Sequence, residues 1–166
     1  VWPGVAAQTG LRAVDWSGMG IRGLSSALHD VYADVFGARP DAKQLTEELG
    51  AAWAISDGYH KIFACCQYGH ATIEATCKLL ERVSAKRIES IHLETHKKAW
   101  IMDNPDPATT IAAKFSIQHI AATAAIHGGG DAEAFSSGSL RHPEVVALRQ
   151  KVTTSPYEPL PEWPND

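Results

Sequence analysis

Apolar positions in the first fifty residues recur at helical spacing. Residues 4–16 read as a helix of small side chains, with Val5, Leu11 and Val14 as its larger apolar members, and Gly18-Met19-Gly20 ends it. Ser25 or Ser26 caps a second helix, in which Leu28, Val31, Tyr32 and Val35 recur up to Gly37. A third, short helix spans 41–49, with Asp41 as cap and Gly50 as stop. None of these helices covers its own apolar face, so each needs a partner.

At about residue 52 the period changes. Trp53, Ile55 and Asp57 alternate, and Tyr59, Lys61 and Phe63 continue the extended pattern. Gly69-His70 then opens a helix to about Val83, with Ile73, Cys77 and Leu80 as its buried stripe. Residues 87–100 form the clearest strand: Ile91, Leu93 and Thr95 point one way, His92, Glu94 and His96 the other. Asn104-Pro105-Asp106-Pro107 reads as a turn that starts a helix, with Asp106 as cap and Pro107 in the first helical position. The helix is Ala-rich and runs to about Ile126, where Gly128-Gly129-Gly130 ends it. Residues 131–140 read as a small-residue loop, His142-Pro143 starts a helix to about Lys151, and an extended Pro-rich tail follows. The resulting plan is α+β: an antiparallel sheet covered by helices on one face. Three strands are few for so much helix, so a further strand is expected beyond Asp166.

Composition narrows the partners. At 45% apolar, the chain can build a core. The net charge of -4, with no long run of one sign, argues against a nucleic-acid surface. The longest apolar stretches fall short of the roughly 18 residues that a membrane span needs, and no secretory leader is visible. Three cysteines, two of them adjacent (Cys65, Cys66), make a poor disulfide framework and favour a reducing, cytoplasmic setting. The chain starts at Val1 in mid-pattern and stops in a loop-like Pro161–Asp166, which suits part of a longer protein.

Several groupings could carry chemistry. His92, Glu94 and His96 share a strand face that could present metal ligands, though alternation alone also gives a polar outer face. Cys65, Cys66 and His70 lack a fourth zinc ligand, and adjacent cysteines make a strained redox pair. Gly128–Gly130 follows a helix, whereas a phosphate cradle opens one. His119 lies among apolar helix residues and reads as a core histidine or an acid–base group. Lys114 reads as a solvated helix lysine. The densest stretch is Lys61–His70. A lysine just before a helix-opening turn can hold a carboxylate, and a histidine at a helix start is held in its neutral, basic form. A strand–helix junction with buried thiols is the competing reading.

Lys61-Ile62-Phe63-Ala64-Cys65-Cys66-Gln67-Tyr68-Gly69-His70 resembles the Lys-x-aromatic-Pro-x-Cys-x-x-x-His signature of the MmgE/PrpD family. That family includes 2-methylcitrate dehydratase, cis-aconitate decarboxylase and iminodisuccinate epimerase. Lys114-Phe115-Ser116-Ile117-Gln118-His119 resembles its Lys-Phe-Ser-x-x-Tyr helix, and Ala6–Gly10 is similar to the small-residue helix that closes its helical domain. The resemblance implies a large all-helical domain, a smaller α+β lid, a homodimer and a site in the cleft between the domains. Residues 1–50 would be the terminal helices of the helical domain, and 51–166 the lid, incomplete at its C-terminus. Lys61 matches the family's active-site lysine and His70 its signature histidine. Cys66 stands where the decarboxylases have a catalytic histidine, His119 where many members have a tyrosine, and Ala64 where proline is usual. A thiol is a different acid from imidazole at neutral pH, which counts against decarboxylation.

The reading that follows is a cofactor-independent, metal-free hydro-lyase portion acting on a small polycarboxylate by proton abstraction next to a carboxylate. Lys61 binds the carboxylate, His119 transfers the proton, and Cys66, His70 and Ser116 complete substrate binding. An isomerase or epimerase, or a non-catalytic module that pairs with a helical partner, are the alternatives.

Overall fold

A computed structural model describes residues 2–157, apart from the side chains of Ala42, Leu45 and Ala54. The loop expected over 161–166 lies outside the described residues. The chain divides into two compact units, Val1–Gly58 and Tyr59–Asp166.

The first unit is helical: α1 (Trp2–Gly18), α2 (Ala27–His29) running on into a π-helical turn over Asp30–Val35, and α3 (Ala42–Thr46). Helix α3 begins where the sequence places its cap, with the Asp41 carboxylate accepting from the Lys43 N–H at 2.9 Å. Ser26 precedes α2, but its hydroxyl donates to the Asp30 carboxylate instead of capping a backbone N–H. Among the described residues of this unit none is buried, and Trp2 and Leu11 are 82% and 70% exposed. The extended pattern from residue 52 forms no strand. Ala54–Asp57 is a 3-10 turn, closed by the Gly58 N–H on the Ile55 carbonyl at 3.2 Å. Without a neighbouring strand to supply a ladder, the backbone groups pair locally.

The second unit contains α4 (His70–Leu80), β1 (Ile91–Thr95), α5 (Lys97–Trp100), α6 (Thr110–Ala113), α7 (Ile117–His127), α8 (Ser137–Arg141), α9 (Pro143–Arg149) and β2 (Val152–Pro156). Helix α7 is its centre, and every residue from Ile117 to Ala125 is buried. Alanines at 121, 122, 124 and 125 keep the helix thin enough for neighbours to approach all round. On one side Ile117, Ile120 and Ala124 pack with Cys65, Ile73, Met102 and Phe135. On the other, Ala122 and Ala125 meet Val145 and Leu148 of α9. Gly128 ends α7 in the left-handed conformation at φ 75°, as the glycine run predicts.

The two strands pair in parallel, from Ile91↔Val152 to Thr95↔Pro156, which corrects the antiparallel expectation. They are joined through α5–α9, and a parallel pair needs such a crossover where an antiparallel one is satisfied by a hairpin. Helix with a small sheet keeps the fold in the α+β class. The alternation over β1 holds: Ile91, Leu93 and Thr95 are half-buried, His92 and Glu94 exposed. His96 departs from it, because the chain turns into α5 there.

The long helix expected from Pro107 is in fact broken. Thr109 caps α6, its hydroxyl accepting from the Ala112 N–H at 3.1 Å. Ser116 caps α7, accepting from the His119 N–H at 3.0 Å and donating to the Asn104 carbonyl at 2.6 Å. Asp106, the expected cap, instead accepts from Arg149 at 3.1 Å. The break sets Lys114 and Phe115 at a bend between helices.

Candidate active-site cleft

The segment Lys61–Cys66 crosses the second unit as irregular backbone, fixed by two main-chain hydrogen bonds. The Ala64 N–H donates to the Gly130 carbonyl at 2.8 Å, and the Cys66 N–H to the Lys114 carbonyl at 2.9 Å. Two glycines let it lie close. A Cβ on Gly69 would stand 2.6 Å from Ile120 Cδ1, and one on Gly130 would overlap Ile73 and crowd Phe63. Gly130 thus does a packing job that a flexible helix stop would not require.

These attachments bring Lys61, Phe63, Ala64, Cys65, Cys66, Lys114 and Phe115 around one open cleft of about 380 Å³. That is room for a small acid, at the lower end of ordinary ligand pockets. Among the described residues no carboxylate forms an ion pair with Lys61 or Lys114. The Cys65 thiol is pushed up to about 11, first by burial and then by Cys66, against the pull of the two lysines. It therefore stays protonated near neutrality and forms a wall, its Sγ donating to the Cys66 carbonyl at 3.4 Å.

Of the residues singled out in the sequence, Lys61 and Cys66 meet in this cleft. His70 starts α4 with its ring edge-on to Phe63, centroids 5.2 Å apart. Ser116 is buried, its hydroxyl engaged by Asn104 and His119. His119 is fully buried and does not line the cleft. Its Nδ1 lies 3.4 Å from the Arg149 guanidinium, and its ring packs against Phe135. Its pKa is lowered to about 4, first by burial and then by Arg149, with the Ala134 carbonyl opposing. It is neutral at pH 7, and Nδ1 serves as the acceptor for Arg149.

Lys114 and Phe115 are the cleft residues that the sequence pattern hid. On an unbroken helix Lys114 is a surface lysine. Only the Thr109 and Ser116 caps, read as two helix starts, would have revealed the bend. The strand-face histidine also finds a plain role: His92 bonds Thr153 at 2.8 Å and Ser155 at 3.0 Å, tying β1 to β2. Among the described residues, His29, Asp30 and Asp34 bring ligand atoms within 4.8 Å on the surface of the first unit. Exposed acidic groups gather in this way without an ion.

The family model described as the MmgE/PrpD C-terminal domain matches residues 63–162. No curated protein matches the chain. The match covers more than half of the sequence, so the chain belongs to the MmgE/PrpD family through its C-terminal domain.

Proposed function

We propose that the chain is the lid-side portion of a hydro-lyase acting on a small polycarboxylate. The observation that supports this most is Lys61 on an open cleft, with no carboxylate among the described residues paired to it. A cation so placed binds a substrate carboxylate and stabilises the negative charge that develops when the adjacent C–H is deprotonated. The reaction removes that proton, forms a C=C bond, and expels the neighbouring hydroxyl as water after it receives a proton.

The described cleft lining supplies cations and thiols but no carboxylate or imidazole, so in this reading the base comes from elsewhere. In this reading residues 1–50 belong to a helical domain and 51–166 to the lid. The acid–base groups come from helical sequence of the complete protein, which works as a homodimer in the cytoplasm. For His119 to move the proton itself, its ring must leave the surroundings of Arg149 and Phe135. As a fixed neutral group it instead positions the helix behind the cleft. The three free thiols suit a reducing compartment, and among the described residues no helix is long and apolar enough to cross a membrane.

The test is a screen of the full-length protein against citrate-like and aspartate-like acids in heavy water. Loss of water with deuterium incorporation supports the hydro-lyase. Exchange without water loss turns the assignment to an epimerase. Neither activity on any acid of the set, by a folded dimer, leaves a non-catalytic module.

A further inference from the structure

The cleft holds a second cation that the hydro-lyase reading does not use. Lys114 is half-buried at the bend between α6 and α7, and its carbonyl accepts the Cys66 N–H at 2.9 Å, so its position is tied to the Lys61–Cys66 wall. It lines the same cleft as Lys61, beside Phe115, which is 55% exposed. Both lysines line the cleft together with Cys65, whose thiol each of them pulls toward a lower pKa. Two like charges in one small cleft repel, and with no carboxylate of the described chain to separate them, the arrangement calls for an anion with more than one negative centre.

We propose that Lys114 is a second carboxylate-binding residue of this cleft, which makes the site selective for acids carrying carboxylates on at least two carbons over monocarboxylates. The inference rests on the polycarboxylate reading of Lys61 and adds what sets specificity. The two lysines take one carboxylate each, and the apolar edges of Phe63 and Phe115 pack against the carbon chain between them. The backbone attachment at Lys114 uses its carbonyl, so changing the side chain leaves the wall in place.

The experiment is calorimetric titration of the full-length protein with tricarballylate, a citrate-like acid that has no hydroxyl to lose, and with butyrate as a single carboxylate. Native protein is compared with Lys61→Gln, Lys114→Gln and Lys114→Arg. The expected result is about a tenfold rise in the tricarballylate Kd for Lys114→Gln, the usual scale of one charge-assisted bond. Butyrate, which either lysine can hold alone, weakens by no more than about twofold, and Lys114→Arg keeps most of the tricarballylate affinity. If Lys61→Gln weakens tricarballylate and Lys114→Gln does not, the role of Lys114 is overturned while the polycarboxylate reading stands. If Lys114→Arg is as weak as Lys114→Gln, charge at this position is not what matters and the role is likewise overturned. If both glutamine variants bind tricarballylate as the native protein does, or the native protein binds none, the polycarboxylate cleft itself is overturned.

Discussion

Helices α1 and α7 are similar in sequence and opposite in situation. Both are rich in alanine and other small residues with a few large apolar members. In α7, nine consecutive residues are buried; α1, seventeen residues long, buries none. Periodicity makes both helices, but only packing makes one of them a core. Alanine allows close approach without demanding it, and α7 is enclosed because Ile73, Phe135, Val145 and Leu148 are delivered to it by the elements on either side. The same contrast separates the two histidine-and-lysine groups of the second unit. His119 is drawn into the core and silenced as a charge. Lys61 is exposed and Lys114 half-buried, on a wall that main-chain hydrogen bonds of Ala64 and Cys66 hold in place.

The sharpest way to break this comparison is to remove a large side chain from α7. Ile120→Ala opens a cavity under Gly69 and is expected to cost about 4 kcal/mol in urea unfolding. A cost below about 1 kcal/mol would mean that the α7 core is loosely packed.

Next in size is the buried histidine. The folded-state pKa of His119, about 4, lies below the ordinary 6.5, so the unfolded chain binds the extra proton first as pH falls. Its contribution, on the order of 3 kcal/mol, is complete above pH 6.5 and is lost on going down through about 4. A stability profile against pH should show this fall, and His119→Asn should flatten it.

Ser116→Ala removes the cap of α7 and leaves the Asn104 carbonyl without its donor. A loss of about 1–2 kcal/mol is expected by thermal or urea unfolding. The smallest effect belongs to α1. Leu11→Ala should change the unfolding free energy of the chain by less than about 0.5 kcal/mol, because the side chain is already in water. A larger loss would show that α1 has a partner in solution, as a helix with an unburied apolar face is built to find.

What could be read beforehand follows the same division. Local chemistry was legible: the αL glycine at 128, the Asp41 cap, the Pro143 helix start and the alternation of β1 all depend on neighbours in sequence. Long-range pairing was not. Whether Val152–Pro156 runs parallel to Ile91–Thr95 is decided by the crossover, which the pattern of each strand does not encode. The stretch after residue 52 alternates like a strand but has no partner strand among the described residues, and so it coils. The break at Lys114–Ser116 was missed because Asp106-Pro107 is a stronger helix start on paper than Thr109 or Ser116. Asp106 is committed instead to Arg149, forty-three positions away. Of the cleft lining, Lys61 and Cys66 stand in one family signature and Lys114 and Phe115 in another, but the break that turns Lys114 to the cleft does not show in the helical pattern.

In the proposed function Lys61 holds the substrate carboxylate. The most direct test is the rate of deuterium incorporation into an acid turned over by the full-length protein, compared between the native protein and Lys61→Ala under the same conditions. A fall in kcat/KM of about 100-fold or more, with the fold intact by circular dichroism, is the predicted result for losing a cation that stabilises the developing charge. Undiminished exchange in Lys61→Ala would contradict it.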